Sequence, residues 1–375
     1  MNHHTAHFAE RLSLKGKAPR TIAVLRALQL GDLLCTVPAL RSLRAACPDS
    51  HIALIGLPWA REFVSRYGDY VDEFVEFPGF PGLPERPVDT EALPRFLAAM
   101  QRRHFDLVLQ LHGNGRYSNT IAALLGGDMT AGYYQPPDYC PDAELFMPYP
   151  DQLPEVLRHL ELLQHLGIPV RRTDLEFPLT GKDHERFSRL HEAEQLRPGT
   201  YVCVHPGGRG QDRRWSPAYF GIVADRLAAE GYEVVVTGTS EERDIVKAML
   251  ATMQSSPINL VGRTDLGTMG VLLSRAKALL ANDTGVSHLA AALKIPSVIV
   301  CIGSDPNRWS PLDRRQHRVL FGHMTAVDSV LNELQDVLRS EDNPIAVTLG
   351  HSPVPLPINN SESLVTRNHQ YLTGL

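Results

Sequence analysis

The chain has few cysteines and gives them no pattern. Cys35, Cys47, Cys140, Cys203 and Cys301 are scattered, with no CxxC pair and no metal-type spacing. That favours reduced thiols in the cytoplasm over a disulfide framework or a thiolate metal site. No apolar run approaches the ~18 residues of a membrane span. The opening MNHHTAHFAERLSLKGK has no apolar signal core, which argues against secretion. A basic excess is also missing: 37 Lys and Arg stand against 42 Asp and Glu, a net charge of −5, so no nucleic-acid partner is expected. No strand-like run leads into GxGxxG, which speaks against a nicotinamide oxidoreductase, and GxxxxGK[ST] is absent, so there is no P-loop. No His, Asp or Glu cluster has metal-ligand spacing. Neither a metal nor a cofactor is expected.

What the chain does have is alternation. Its 375 residues correspond to about two domains. At 43% hydrophobic and 21% charged it has apolar side chains for two cores. TIAVLRA (21–27) is a β-branched run, and GDLLCTVPALRSLRAA (31–46) follows with helical spacing. HIALIG (51–56), DEFVEF (72–77) and FDLVLQL (105–111) read as further strands, and NTIAALLGG (119–127) as a helix stopped by glycines. The order repeats in YVCVHPG (201–207), YEVVVTG (232–238), KALLAND (277–283) and SVIVCIG (297–303). Such βα units predict parallel sheets covered on both faces, an α/β fold of two Rossmann-like halves. Between the series lie the helical DQLPEVLRHLELLQHLGIPV and the charged GKDHERFSRLHEAEQLRPG. The expected domains are 1–180 and 181–340, followed by an irregular tail, 341–375, rich in Pro, Asn, Ser and Thr.

Ligands of two-half α/β chains bind where strands stop, and four strand ends carry chemistry. In LLANDTGVSHLAAAL (279–293) a strand ends at Asp283 and a helix starts at Thr284. Free N–H groups and the positive helix end make an anion site there. Gly285 admits close approach, His288 lies one turn on, and Asp283 can accept from ligand hydroxyls; the plain alternative is helix capping. In HPGGRGQDRRW (205–215) glycines expose backbone donors, and Arg209, Arg213 and Arg214 offer phosphate-binding forks; a basic surface loop reads the same way. In VVVTGTSEERD (234–244) Glu241 or Glu242 can hold ribose hydroxyls, or merely complement the helix dipole. In LRALQLGDLLCTVPAL (25–40) Asp32 opens a helix on the first half's side of the cleft, as a general base or as a cap. Other cleft-facing candidates from that half lie in LHGNGRYSN (111–119), with Asn114 and Arg116.

LRALQLGDLLCTVPALRSLR, DLVLQLHGNGRYSN, VHPGGRGQDRRWSPAYF, NDTGVSHLAAAL and PSVIVCIG, in this order over roughly residues 20 to 340, resemble glycosyltransferase family 9, the bacterial lipopolysaccharide heptosyltransferases. The resemblance implies a GT-B fold, two Rossmann-like domains facing across a cleft. It also implies inverting, metal-independent transfer of a sugar, typically heptose from ADP-heptose. It assigns the base to Asp32 and the donor motif to Asp283, Thr284, Gly285 and His288. Arg213, with Arg214 beside it, stands where the family usually has lysine. Gln110 stands where the family often has an acid. The implied partners are a nucleotide-sugar donor and a lipopolysaccharide-core or related glycan acceptor, with peripheral contact at the inner face of the inner membrane. Arg41, Arg44 and Arg61 are the expected contacts for an anionic lipid-linked acceptor. Two other readings stay open: a non-hydrolysing sugar-nucleotide epimerase, and a catalytically silent GT-B binding module.

Overall fold

The computed structural model describes residues 18–339. The expected tail at 341–375 and the segment read for a signal core lie outside the described residues. Twelve strands form two six-stranded sheets. The first comprises β1 (Thr21–Leu25), β2 (His51–Gly56), β3 (Glu73–Glu76), β4 (Leu107–Gln110), β5 (Met129–Tyr134) and β6 (Phe146–Pro148). The second comprises β7 (Tyr201–His205), β8 (Glu233–Val236), β9 (Ile258–Asn259), β10 (Ala278–Asn282), β11 (Ser297–Cys301) and β12 (His317–Phe321). Every pairing is parallel. The order is β3-β2-β1-β4-β5-β6, and the second sheet repeats it as β9-β8-β7-β10-β11-β12. Each order reverses between its first and fourth strands, the place where such sheets open a crevice.

The apolar runs follow from this topology. ALLAN of β10 and SVIVC of β11 are buried at every position, as strands covered on both faces must be. Because side chains alternate, Ala23 and Leu25 face one core while Ile22 and Val24 face another. Val202 and Val204 likewise part from Cys203. The core containing Val24, Leu33 and Leu40 also holds Cys203, Leu279 and Leu289, so it runs without a break from one half into the other.

Eight helices position the site: α1 (Leu30–Ala46), α2 (Glu155–His165), α3 (Gly181–Ser188), α4 (Pro217–Ala229), α5 (Leu266–Arg275), α6 (Gly285–Ala292), α7 (Pro306–Trp309) and α8 (Val327–Arg339). Pro217 starts α4 at a position where its missing N–H costs nothing. The strands β5, β6, β9 and β12 escape the sequence pattern, whereas the helix α8 carries a clear helical spacing, Val330, Leu334 and Val337 facing the core, that the sequence analysis did not single out. β9 is two residues long, and β5 reads MTAGYY, where glycine and tyrosines blur the apolar run. The halves are joined by α1 against α6 and by Arg66 on Asp183 Oδ1 (2.9 Å).

Candidate active site

A cavity of about 1100 Å³ opens between the halves at the carboxyl ends of the strands. The loops after β1, β7, β8, β10 and β11 line it. On the second half's wall, Asn282 ends β10 fully buried and clamps the glycine-rich loop: its Nδ2 donates to Pro206 O (2.8 Å) and Gly207 O (3.0 Å), and its Oδ1 accepts from Trp215 N (2.9 Å). The clamped loop presents Arg209 and Arg213 to the cavity. Arg213 Nη2 lies 3.6 Å from Asp283 Oδ2. Arg214, expected beside it, does not line the cavity: its Nε donates to Gly208 O at 2.6 Å and braces the loop from within.

Thr284, the extended residue at the start of α6, makes no side-chain capping bond. Its buried Oγ1 has no hydrogen-bond partner among the described residues. The first turn of any helix leaves N–H groups without intrahelical acceptors, and here that turn (Gly285, Val286) forms cavity wall. Gly285 admits a neighbour as expected, but the neighbour is Leu30 of α1, whose Cβ would lie 3.0 Å from an added methyl. His288 faces Gly31 of α1, and its Nδ1 sits 3.5 Å from Cys35 Sγ. Burial holds its pKa below the ordinary 6.5, against the pull of Asp283, Asp32 and Glu155. His288 is therefore neutral at pH 7: a hydrogen-bonding group, not a cation.

Glu241 is exposed and outside the cavity; its neighbour Glu242 lines it. Consecutive residues of a tight helical turn face different sides, so the one-residue offset changes which acid reaches the cleft. Glu242 Oε2 accepts from Thr239 N (2.7 Å) and lies 3.6 Å from His205 Nε2. Burial would raise the carboxyl's pKa, but His205 and the backbone donors of Thr239 and Gly208 outweigh it, and the carboxyl stays below its ordinary value.

On the first half's wall, Asp32 lies in the first turn of α1. Its Oδ2 accepts from Gln29 N (3.2 Å) and its Oδ1 is 3.4 Å from Arg26 Nη2. Capping and cavity lining are thus both observed. Glu85, Asp151, Trp59, Gln29 and Gln152 share this wall, where Arg158 is the one cation among the described lining residues. Arg158 is already committed to Tyr149 Oη, Asp151 O and Leu153 O. The cations and amide expected for the acceptor do not line the cavity. Arg41 sits nine residues beyond Asp32, roughly 13 Å along the helix, bound to Glu176 and Asp174. Arg44 holds Asp72 and Ser50 O. Arg61 lies over Phe74 at 4.8 Å, and Arg116 pairs with Asp138 at 3.1 Å. Asn114 Oδ1 accepts from Arg116 N (3.2 Å), closing its own turn. Among the described residues no group of three His, Cys, Asp or Glu side chains could hold a metal ion.

The sequence matches a known family: residues 94–333 fit the model of glycosyltransferase family 9 (heptosyltransferase). The chain belongs to that family. Among relatives, it is 31% identical over 169 residues to lipopolysaccharide heptosyltransferase 2 of Salmonella typhimurium, covering 39% of this chain and 48% of the relative. The chain thus spans about half the length of the curated relative it matches. In three dimensions it resembles the glycosyl transferase family 9 protein of Veillonella parvula, with a TM-score of 0.71 at 20% identity over 85% of this chain and 97% of that one. It also resembles E. coli ADP-heptose lps heptosyltransferase II, with a TM-score of 0.68 at 22% identity over 85% and 98%. The fold is GT-B, two doubly wound domains across a cleft.

In this family 9 chain, Asp32 and the Asp283–Thr284–Gly285–His288 motif meet on one cavity. Gln110, in the position of the family's acid, does not: its amide donates to His112 O (2.7 Å) in the core. Residues that sequence reasoning passed over include Arg308 and Trp309 of α7 and Ser304, all cavity lining after β11. The strand SVIVCIG was legible, so the polar GSDPNRW at its end was a fifth strand-end signal. Glu155, buried at the start of α2, had no local signal.

Proposed function

We propose that this chain transfers a heptose from ADP-heptose, with inversion and without a metal ion, onto a hydroxyl of a lipopolysaccharide-core or related glycan, working at the inner face of the inner membrane in the cytoplasm. The observation that carries the reading is the facing of two walls. One bears a carboxylate at a helix start; the other bears arginines and a second helix start at the reversal of its sheet. Asp32 takes the proton of the acceptor hydroxyl as its oxygen bonds to the anomeric carbon from the face opposite the leaving ADP. The anomeric carbon–phosphate oxygen bond breaks, and the charge left on the diphosphate is met by Arg209, Arg213 and the first turn of α6. His288 and the free Thr284 hydroxyl add neutral hydrogen bonds. Glu242 takes the ribose hydroxyls. Among the described residues no cation is left free on the acidic first wall, which supports an acceptor recognised through its hydroxyls at the reacting sugar.

The test is turnover by the purified chain with ADP-, GDP- and UDP-sugars and candidate acceptors, in EDTA, for wild type and Asp32→Asn. Expected are acceptor-dependent ADP release in chelator and a roughly 100-fold slower Asn variant with unchanged donor affinity. Interconversion of free donor would indicate the epimerase reading instead. Donor binding without turnover would indicate a silent module.

A further inference from the structure

The network behind Asp32 reaches across the cleft. Arg26, just beyond β1, is 1% exposed. Its Nη1 donates to Leu111 O. Its Nη2 stands 2.8 Å from Glu155 Oε1, 3.4 Å from Asp32 Oδ1 and 3.3 Å from Asp32 O. The other Asp32 oxygen is fixed by Gln29 N. Glu155, itself 1% exposed, opens α2, where the helix dipole favours an anion. Its Oε2 accepts from Arg308 Nε at 2.8 Å. Arg308 belongs to the second half, and its guanidinium lies 4.6 Å over the ring of Trp309, which in turn meets His288 edge-on at 6.1 Å. An acid of the first half is therefore held by Arg26 and, at 3.5 Å, Arg158 from its own half and by Arg308 from the other, and Arg26 also touches the carboxylate that faces the cavity.

We propose that Arg26 is a positioning residue that sets the Asp32 carboxylate for proton transfer, and that Arg308, through Glu155, makes this setting depend on closure of the two halves. The proposal rests on the reading of Asp32 as the base. An arginine serving only to neutralise buried Glu155 has no need to approach Asp32. Arg26 instead reaches both acids through Nη2 while its Nη1 is tied to Leu111 O, and the planar guanidinium that fixes these directions together has no counterpart in lysine. Burial would raise the pKa of Glu155, but His159, Arg26 and Arg308 outweigh it and hold the carboxyl well below the ordinary range, so the link stays ionised through neutral pH.

The experiment is a double-mutant cycle. Arg26→Lys and Arg308→Gln are each made in the wild-type and Asp32→Asn backgrounds, and kcat, donor KM and melting temperature are measured. In the wild-type background Arg26→Lys should lower kcat about tenfold or more, as a displaced catalytic group does, with donor KM within about twofold. Arg308→Gln should lower kcat less. In the Asp32→Asn background both losses should vanish, because the group they position is gone. Equal losses in both backgrounds mean a merely structural role and overturn the proposal, as does an unchanged kcat in the wild-type background. Should Arg26→Lys fail to fold, Arg308→Gln decides by the same comparison. An Asp32→Asn variant as fast as wild type overturns the base reading itself and the proposal with it, an outcome visible before any arginine is changed.

Discussion

At the end of β10 two neighbouring side chains divide the labour of the donor wall. Asn282 serves the backbone, with three hydrogen bonds that hold the loop 206–215 in place. Arg213, 37% exposed, serves the cavity. Their losses should separate accordingly. Arg213→Ala should weaken nucleotide-sugar binding more than tenfold, the ~1.5–3 kcal/mol of a charged hydrogen bond, and leave the melting temperature unchanged. Asn282→Ala strands three buried backbone groups at ~1–3 kcal/mol each before relaxation, so it should lower both stability and donor affinity. Calorimetry and thermal melts of the two variants check this; an Asn282→Ala protein as stable as wild type contradicts the clamp. At this scale the sequence showed which residue types gather at strand ends, but it could not orient them. Glu241 and Glu242 are indistinguishable in SEERD, and one turn of backbone puts only the second in the cleft. Arg213 and Arg214 are equally adjacent, and only one escapes the loop's own carbonyls.

The element that couples the halves is the helix pair α1 and α6, whose starts meet through two glycines. A Cβ on Gly31 would lie 2.7 Å from His288 Cδ2, whereas one on Gly285 would lie 3.0 Å from Leu30 Cβ and 3.2 Å from its Cδ2. In an ordinary helix, Ala in place of Gly gains up to about 1 kcal/mol. At Gly31 that gain should lose to overpacking, ~1–3 kcal/mol against a buried ring, and displacing His288 should lower turnover about tenfold or more. At Gly285 the contact is 3.0 Å rather than 2.7 Å, so a shift of a few tenths of an ångström relieves it and Ala should cost less stability than at Gly31. Melting temperatures and turnover of the two variants decide; a Gly31→Ala protein indistinguishable from Gly285→Ala would refute the close contact. The helices themselves were legible from spacing, and Gly285 stood out as a site glycine. That each faces the other half was not legible, because helix-to-helix contact between residues 30 and 288 has no local signature.

Over the whole molecule, the buried histidines set the response to acid. Burial, with Arg26 nearby, pushes His159 down to about 4, and burial pushes His317 to about 4, both from an ordinary 6.5. Between those values the unfolded chain binds protons that the folded one refuses. Stability is therefore complete above about pH 6.5 and falls as pH drops toward 4. Each histidine contributes a few kcal/mol at most, at ~1.4 kcal/mol per pH unit of separation. Glu155 and Asp183, both depressed, add losses in the same direction at lower pH. Denaturation midpoints at pH 7.5, 6 and 5 should decline in that order; a flat series would show that the histidines protonate in place. By itself the sequence determined the two βα series, the ends of most strands and the chemistry gathered there, because apolar periodicity and turn residues are local properties of the chain. The tertiary structure alone decided which wall each group faces, that His288 is neutral, and that Arg308 reaches Glu155. Those depend on burial and on distances between residues about 150 positions apart, set by how two sheets pack rather than by any pattern along the chain.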